Sequence, residues 1–254
     1  MRVLLLGATG NLGSRLLPAL IQRGHTVTVF VRNPSKLATS VQRDQFSIEC
    51  GDARKATEIK TAAIKHQCDA IVNAAGLAAV APWGRSDLPA IIDAVVRAAL
   101  EIGRERGKPL RLWVLAGLGI LDLPTTKYML VDYIRVFAEH RSTLSKLQTL
   151  PKESVLWSVL CPATMTPRAE PNYPVIAGAS VDNLLTSADT PPEWSTKLLW
   201  IPVIGGYLNV LSQASGYNTS LEDNADLIAS DLLRGMDSPW IYQKVGVKEK
   251  QNNS

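Results

Sequence analysis

Seven residues near the start of the chain restrict its fold more than any others: Gly7-Ala8-Thr9-Gly10-Asn11-Leu12-Gly13. The run Arg2 to Leu6 before them reads as a buried strand, and Leu12 to Arg23 after them as an amphipathic helix. In that setting each glycine has its own task. Gly7 permits a tight turn, Gly10 lets the backbone come close to a pyrophosphate, and Gly13 lets helix and strand pack closely. The helix N-terminus then presents unpaired N–H groups and the positive end of its dipole. Gly7, Ala8, Thr9, Gly10, Asn11, Leu12 and Gly13 are therefore the candidate phosphate loop. An ordinary tight turn is the plainer reading, and the pattern that follows weighs against it.

That pattern is a repeat of short apolar runs and amphipathic stretches. Further strands are expected at Thr26–Val31, Phe46–Glu49, Ala70–Asn73, Leu112–Ala116 and Val155–Leu160. Apolar residues at i, i+3, i+4 spacing mark helices over Ile59–His66, Leu88–Gly103 and Tyr128–Leu147. Near-continuous apolar strands separated by helices imply a parallel sheet covered on both faces. The fold expected is α/β: one doubly wound, Rossmann-type domain over 1–254. After Pro162 the texture changes. Residues 162–220 are rich in proline and read as an irregular, substrate-covering lobe at the sheet's C-terminal edge, followed by a helix at Leu221–Leu233. Trp240–Val247 reads as a last strand and 248–254 as a frayed polar tail.

Composition narrows the function classes. Of 254 residues 46% are hydrophobic and 20% charged, which supports a sizeable core. The net charge of +4 is spread thinly, with no run of five basic residues, so no nucleic-acid partner is expected. Cys50, Cys68 and Cys161 lie too far apart for a disulfide framework or a metal motif, so no metal is expected. The longest apolar stretch, Leu198 to Leu211, is broken by Pro202, Gly205 and Gly206. It falls short of the ~20 residues of a spanning helix, so no membrane partner is expected and a cytoplasmic setting is the default.

The second strand bears on the choice of nucleotide. It ends at Val31-Arg32, where chains that prefer NAD usually carry an acid for the ribose hydroxyls. Arg32, with Lys36 one turn later, suits a 2′-phosphate instead, which favours NADP(H) over NAD(H). A solvated basic loop is the plainer alternative. Gly51-Asp52 follows the third strand, where the Asp52 carboxylate can accept from an adenine amino group. Ala74, Ala75 and Gly76 follow the fourth, where small residues let a cofactor lie close.

With these stretches in order, the chain resembles the short-chain dehydrogenase/reductase superfamily, and within it the atypical NmrA-like or flavin-reductase-like branch. The matching motifs are Gly7 to Gly13, Arg32, Gly51-Asp52, Asn73 to Gly76 and Cys161-Pro162-Ala163-Thr164-Met165-Thr166. The stretch 191–233 is similar, less specifically, to reductases of fungal polyketide clusters. The resemblance implies hydride chemistry on a small organic substrate, with Pro162, Ala163 and Thr164 beside the nicotinamide. It also shows a departure. The superfamily's Tyr-x-x-x-Lys is absent: Asp132 stands four residues after Tyr128, and Phe137 four after Tyr133. Leu115-Ala116-Gly117 stands where a catalytic Ser is usual.

A replacement proton donor is therefore needed. His140, in Glu139-His140-Arg141, is the leading candidate, since imidazole titrates near neutrality. Tyr128 is the second. Each has a bland alternative as a satisfied core or surface residue. Trp83, Trp194 and Tyr207 are candidates for an apolar floor under a flat substrate, with core packing as the alternative. The expectation is an NADPH-dependent reductase of a small hydrophobic or aromatic carbonyl or quinone-type substrate. Its rivals are a non-catalytic NADP(H)-binding redox sensor and a cofactor-assisted isomerase or ring-opening enzyme.

Overall fold

The computed structural model describes residues 1–37, 42–76, 86–135, 137, 139–168 and 183–250. The first half follows the expected alternation. It runs β1 (Arg2–Leu6), α1 (Gly13–Gln22), β2 (Thr26–Val31), β3 (Phe46–Cys50), α2 (Ala56–Lys65), β4 (Ala70–Asn73), α3 (Leu88–Arg106) and β5 (Leu110–Leu115). The second half adds α4 (Glu139–Gln148), β6 (Val155–Cys161), β7 (Met165–Thr166), β8 (Leu184–Ala188), α5 (Gly205–Ala214), β9 (Thr219–Ser220), α6 (Leu221–Arg234) and β10 (Gln243–Glu249). Eight strands form one sheet in the order β3-β2-β1-β4-β5-β6-β10-β8, and all pair in parallel except β8, which joins β10 antiparallel.

The alternation along β1 shows why the strands are apolar throughout. Leu4 and Leu6 enter one core with Ile59 of α2 and Ile92 and Val95 of α3. Val3 and Leu5 enter the other, with Leu16 and Leu20 of α1 and Leu232 of α6. Both sheet faces are covered, so neither side of a strand can be polar. The register sets the strand ends flush: Leu6 pairs with Phe30 and Asn73, Val31 with Cys50, Asn73 with Val114, and Leu115 with Leu160. The loops after β1 to β6 therefore open on one edge. The chain order reverses between β1 and β4, and such a switch point leaves a crevice there.

Three expectations need correction. The helix expected over Tyr128–Leu147 begins only at Glu139. Ahead of it lie a bridge between Asp122 and Met129 and a tight turn at Leu130–Asp132. Phe137, at φ 54°, is left-handed and breaks any helix running through it. The last strand starts at Gln243 rather than Trp240, because Tyr242 turns the chain at φ 61°. Lys248 and Glu249, expected in a loose tail, extend that strand and pair with Leu185 and Leu184. Within 162–220 the described residues include β8 and α5, neither of which the sequence pattern marked.

Candidate active site

The site is built from the β1–α1 turn outward. Gly7 has φ +85°, and a Cβ there would fall 2.5 Å from the Ala74 and Ala75 backbone. A Cβ on Gly13 would fall 1.9 Å from the Gly7 carbonyl oxygen. These two glycines thus let three backbones meet. Gly10 differs: its N–H donates to the Gly7 carbonyl at 2.9 Å, while a Cβ would meet only that carbonyl, at 3.3 Å. Its other side is open. Thr9, Gly10 and Asn11 are exposed, and no side chain caps the N-terminus of α1. The Ser14 and Arg15 N–H groups close on the Gly10 and Leu12 carbonyls at 2.9 and 3.0 Å, and the exposed turn at this helix N-terminus fits a pyrophosphate.

The neighbouring loop is held by Asn73, which is buried. Its Oδ1 accepts the Ala75 N–H at 3.2 Å, and the Ala74 N–H donates to the Leu6 carbonyl at 3.0 Å. Gly76 follows at φ +99°. Ala74 and Ala75 therefore border the glycine turn, and Gly76 lies against Leu88 and Ile91 of α3.

Basic residues gather at the ends of β2 and β3. Arg32 and Lys36 are exposed, and Asn33 fixes the turn between them by accepting from the Ser35 N–H at 3.0 Å. Arg43 donates to the Pro34 carbonyl at 3.2 Å. The Asp52 carboxylate accepts from Arg54 through its backbone N–H, Nε and Nη2, at 3.0, 3.0 and 2.6 Å. Those bonds, with a smaller effect of the Arg32 charge, hold its carboxyl at about 2. Both oxygens of Asp52 thus have a local partner in Arg54, as a satisfied turn aspartate would. Arg43 and Arg54 were not singled out by sequence reading. The signal for Arg54 was local: an Arg two residues after the acid, within reach of it through both backbone and side chain.

At the other end of the crevice, the loop after β6 is anchored to its neighbours. The Pro162 carbonyl accepts the Leu118 N–H at 2.8 Å, and the Thr164 carbonyl accepts the Thr219 N–H at 3.0 Å. Pro162 is buried, Ala163 half-buried and Thr164 exposed. His140 reaches the same place from α4. A Cβ on Gly117 would lie 3.5 Å from His140 Cδ2, 3.7 Å from its Nε2 and 3.9 Å from the Pro162 carbonyl oxygen. The structure thus brings His140 to the ends of β5 and β6, and Gly117 makes room for its ring. His140 is buried and its Nδ1 has no hydrogen-bond partner among the described residues. Burial pushes its pKa below the usual imidazole value. An imidazole whose Nδ1 is without a partner among the described residues sits beside the loop.

The model that describes the NAD(P)H-binding family matches residues 7–189, from the first glycine to the end of β8. This chain belongs to the NAD(P)H-binding family. This NAD(P)H-binding protein is 29% identical over 175 residues to the uncharacterized protein YwnB of Bacillus subtilis strain 168, covering 64% of this chain and 72% of that relative. Among solved structures it is similar to a Rossmann-fold NAD(P)-binding family protein of Shigella flexneri, with a TM-score of 0.59, 17% identity, and 100% and 95% of the two chains covered. It is also similar to an anaerobillin reductase of Escherichia coli O157:H7, with a TM-score of 0.61, 16% identity and all of both chains covered. At these identities the likeness is one of fold.

The remaining candidates of this NAD(P)H-binding protein fall elsewhere. Tyr128 is exposed, edge-on to Tyr133 at 5.9 Å with Lys127 over its face. Trp194 is engaged in packing: its indole N–H donates to Asn209 Oδ1 at 2.7 Å and its ring rests on Tyr217. That leaves it no face for a substrate and corrects its place in an apolar floor. Tyr207 is exposed on α5. Trp83 lies outside the described residues. Glu222, which sequence reading passed over, joins the two halves of the site. It accepts from Arg15 in the first turn of α1 at 3.2 Å and from the Arg168 N–H beyond β7 at 2.8 Å.

Proposed function

We propose that this chain is an NADPH-dependent reductase acting on a small hydrophobic or aromatic carbonyl or quinone-type substrate. The observation that carries the reading is His140. An imidazole whose Nδ1 has no partner among the described residues stands beside the loop after β6, at the edge where the glycine turn opens. Gly7, Gly10 and Gly13 with the N-terminus of α1 would hold the pyrophosphate, and Ala74, Ala75 and Gly76 would flank it. Arg32, with Lys36, would take the 2′-phosphate. The bound cofactor would supply the hydride. The neutral His140 ring would donate a hydrogen bond to the oxygen on which charge develops, the part that a Tyr-Lys pair plays elsewhere in the superfamily.

Loss of NADPH absorbance in the presence of a panel of water-soluble quinones and aromatic carbonyls tests the reading. Turnover is expected with at least one of them. His140→Ala is expected to lower kcat roughly 100-fold or more, in keeping with loss of a positioned proton-donating group, while NADPH affinity stays within about twofold. Unchanged turnover in that variant would take His140 out of the mechanism. Tight nucleotide binding with no turnover on any acceptor favours the redox-sensor reading, which the missing Tyr-x-x-x-Lys supports.

The nucleotide preference has a separate test. Arg32→Ala is expected to weaken NADPH binding roughly 10- to 100-fold, the worth of one charge-assisted contact, and NADH binding hardly at all. Isothermal titration with both nucleotides reads this directly, and equal losses would remove the preference for NADP(H).

A further inference from the structure

A cavity of about 260 Å³ lies against β6 and β10, near the end of α4, and none of the residues lining it belongs to the site described above. β4, β5 and β6 stand between β10 and β1 in the sheet, which sets the cavity apart from the glycine turn. Four charged side chains line it, two of each sign: Lys152 and Lys244, Asp122 and Asp189. Backbone bonds fix three of them. The Asp122 N–H donates to the Asp189 carbonyl at 2.8 Å, and the Asp189 N–H to the Lys244 carbonyl at 2.7 Å. The Lys244 N–H in turn donates to Asp189 Oδ1 at 3.2 Å.

Lys244 is the unusual member. Its side chain is only 5% exposed, and its ammonium meets Asp122 Oδ2 at 2.7 Å. No second acceptor is bonded to that ammonium among the described residues, so two of its three N–H donors are left to the cavity. Lysine is rarely buried so deeply, and an under-bonded ammonium is costly to keep from water. Asp189 has one carboxylate oxygen beyond the one bonded to β10. The rest of the wall is aromatic. Trp157 and Tyr242 pack edge to face at 5.9 Å, the Tyr242 hydroxyl donates to the Lys152 carbonyl at 2.8 Å, and the Lys152 ammonium lies 5.2 Å over the Tyr242 ring.

We infer that this cavity binds a small zwitterion of the amino-acid type. The ligand's carboxylate meets the Lys244 ammonium, its ammonium meets Asp189, and its side chain lies against Trp157 and Tyr242. Charge selects this class. A lone anion would face the Asp122 and Asp189 carboxylates as well as Lys244, and a lone cation would face both lysines. A ligand carrying both signs is matched at each end. Size agrees: pockets for drug-sized ligands begin near ~300 Å³, so a space of 260 Å³ suits a smaller molecule. A structural Lys244–Asp122 pair would use one donor and one acid, and would leave the second acid and the space beside it unexplained. The inference does not depend on the reductase reading.

Isothermal titration of the full chain with each standard L-amino acid, without nucleotide or substrate, tests it. At least one is expected to saturate the chain with a Kd of about 1 mM or below. The deaminated acid and the decarboxylated amine of that amino acid are expected to bind at least about tenfold more weakly, since each lacks one of the two charges. Lys244→Met and Asp189→Asn are expected to weaken the parent amino acid at least about tenfold as well. Asp189→Asn retains an Oδ1 acceptor for the Lys244 N–H, so it and the two analogues carry the test if Lys244→Met fails to fold. Absence of saturation by every amino acid overturns the inference, and the Lys244–Asp122 pair is then structural. An acid analogue that binds as tightly as its parent also overturns it, because the cavity would then take anions. So does an Asp189→Asn chain with undiminished affinity.

Discussion

Asp231→Ala should cost ~3–5 kcal/mol of stability, because it strands a buried guanidinium without its counter-charge. Arg111 lies on β5, fully inside the layer between the sheet and α6. Its Nη2 is 2.7 Å from Asp231 Oδ2 and donates to Ser158 Oγ at 2.7 Å, while Nη1 donates to the Leu156 carbonyl at 2.9 Å. Trp113, two residues on and on the same face, donates its indole N–H to the same carboxylate oxygen at 2.9 Å. Ser238 donates to the other oxygen. One carboxylate on α6 thus answers two strand residues and the turn that precedes β10. Arg111 Nε is already without a partner, and burial already lowers the pKa of the guanidinium.

With roughly 2–4 °C per kcal/mol for a chain of this size, the melting temperature should fall by roughly 6–20 °C. Urea midpoints, converted with the measured slope, check the value. The pair has a second arm. Arg111→Met/Asp231→Leu removes both charges and fills the space with apolar atoms, and it should recover most of the loss. If the single variant unfolds at the wild-type midpoint, the network adds nothing to stability. If the double variant is no better than the single one, the missing hydrogen bonds to Ser158 and Trp113 cost more than the stranded charge does.

The Arg111–Asp231 pair also marks where sequence reading stops. Arg111 fell just outside the strand expected from Leu112, and its partner is 120 residues away. The glycine turn after β1 was legible for the opposite reason. Gly7, Gly10 and Gly13 work through backbone approach within seven residues, and the flanking strand and helix fix their geometry locally. The parallel strands were legible because burial on both faces leaves an apolar run with no ambiguity of period. Helix α5 was not, because periodicity marks a helix by its apolar face and assigns that face inward. Here Asn209 and Gln213 point in, and their satisfaction depends on Ser195 and Trp194 in the preceding loop. The stretch after Tyr128 misled in the other direction. Leu130, Tyr133 and Ile134 are spaced as on a helix face, yet they fold as a short turn. His140 was legible as a residue type in the right element, but its orphaned nitrogen and its place beside Gly117 depend on how α4 packs across the ends of β5 and β6.

The glycine loop yields a prediction in which two similar substitutions should behave differently. Gly13→Ala puts a methyl group 1.9 Å from the Gly7 carbonyl oxygen, backbone against backbone, with no flexible side chain to yield. The first turn of α1 must move away from β1. Overpacking of this kind costs about 1–3 kcal/mol and here also displaces the helix amides. Both the melting temperature and nucleotide affinity should fall, the latter by 100-fold or more, since the helix amides and the positive dipole end lose their aim together. Gly10→Ala meets only one carbonyl at 3.3 Å, and its φ is not left-handed. Stability should stay within about 0.5 kcal/mol, while the new methyl stands on the open side of the turn where a pyrophosphate must approach. Affinity for NADPH and NADH should fall by similar factors, roughly 10-fold or more, because the diphosphate is common to both. Thermal unfolding and nucleotide titration on the two variants separate the cases. A Gly10→Ala protein that binds both nucleotides with wild-type affinity would mean that the diphosphate does not lie over this turn. Gly7 and Gly13 would then be packing residues of the strand–helix junction, and the open side of Gly10 would have no part in recognition.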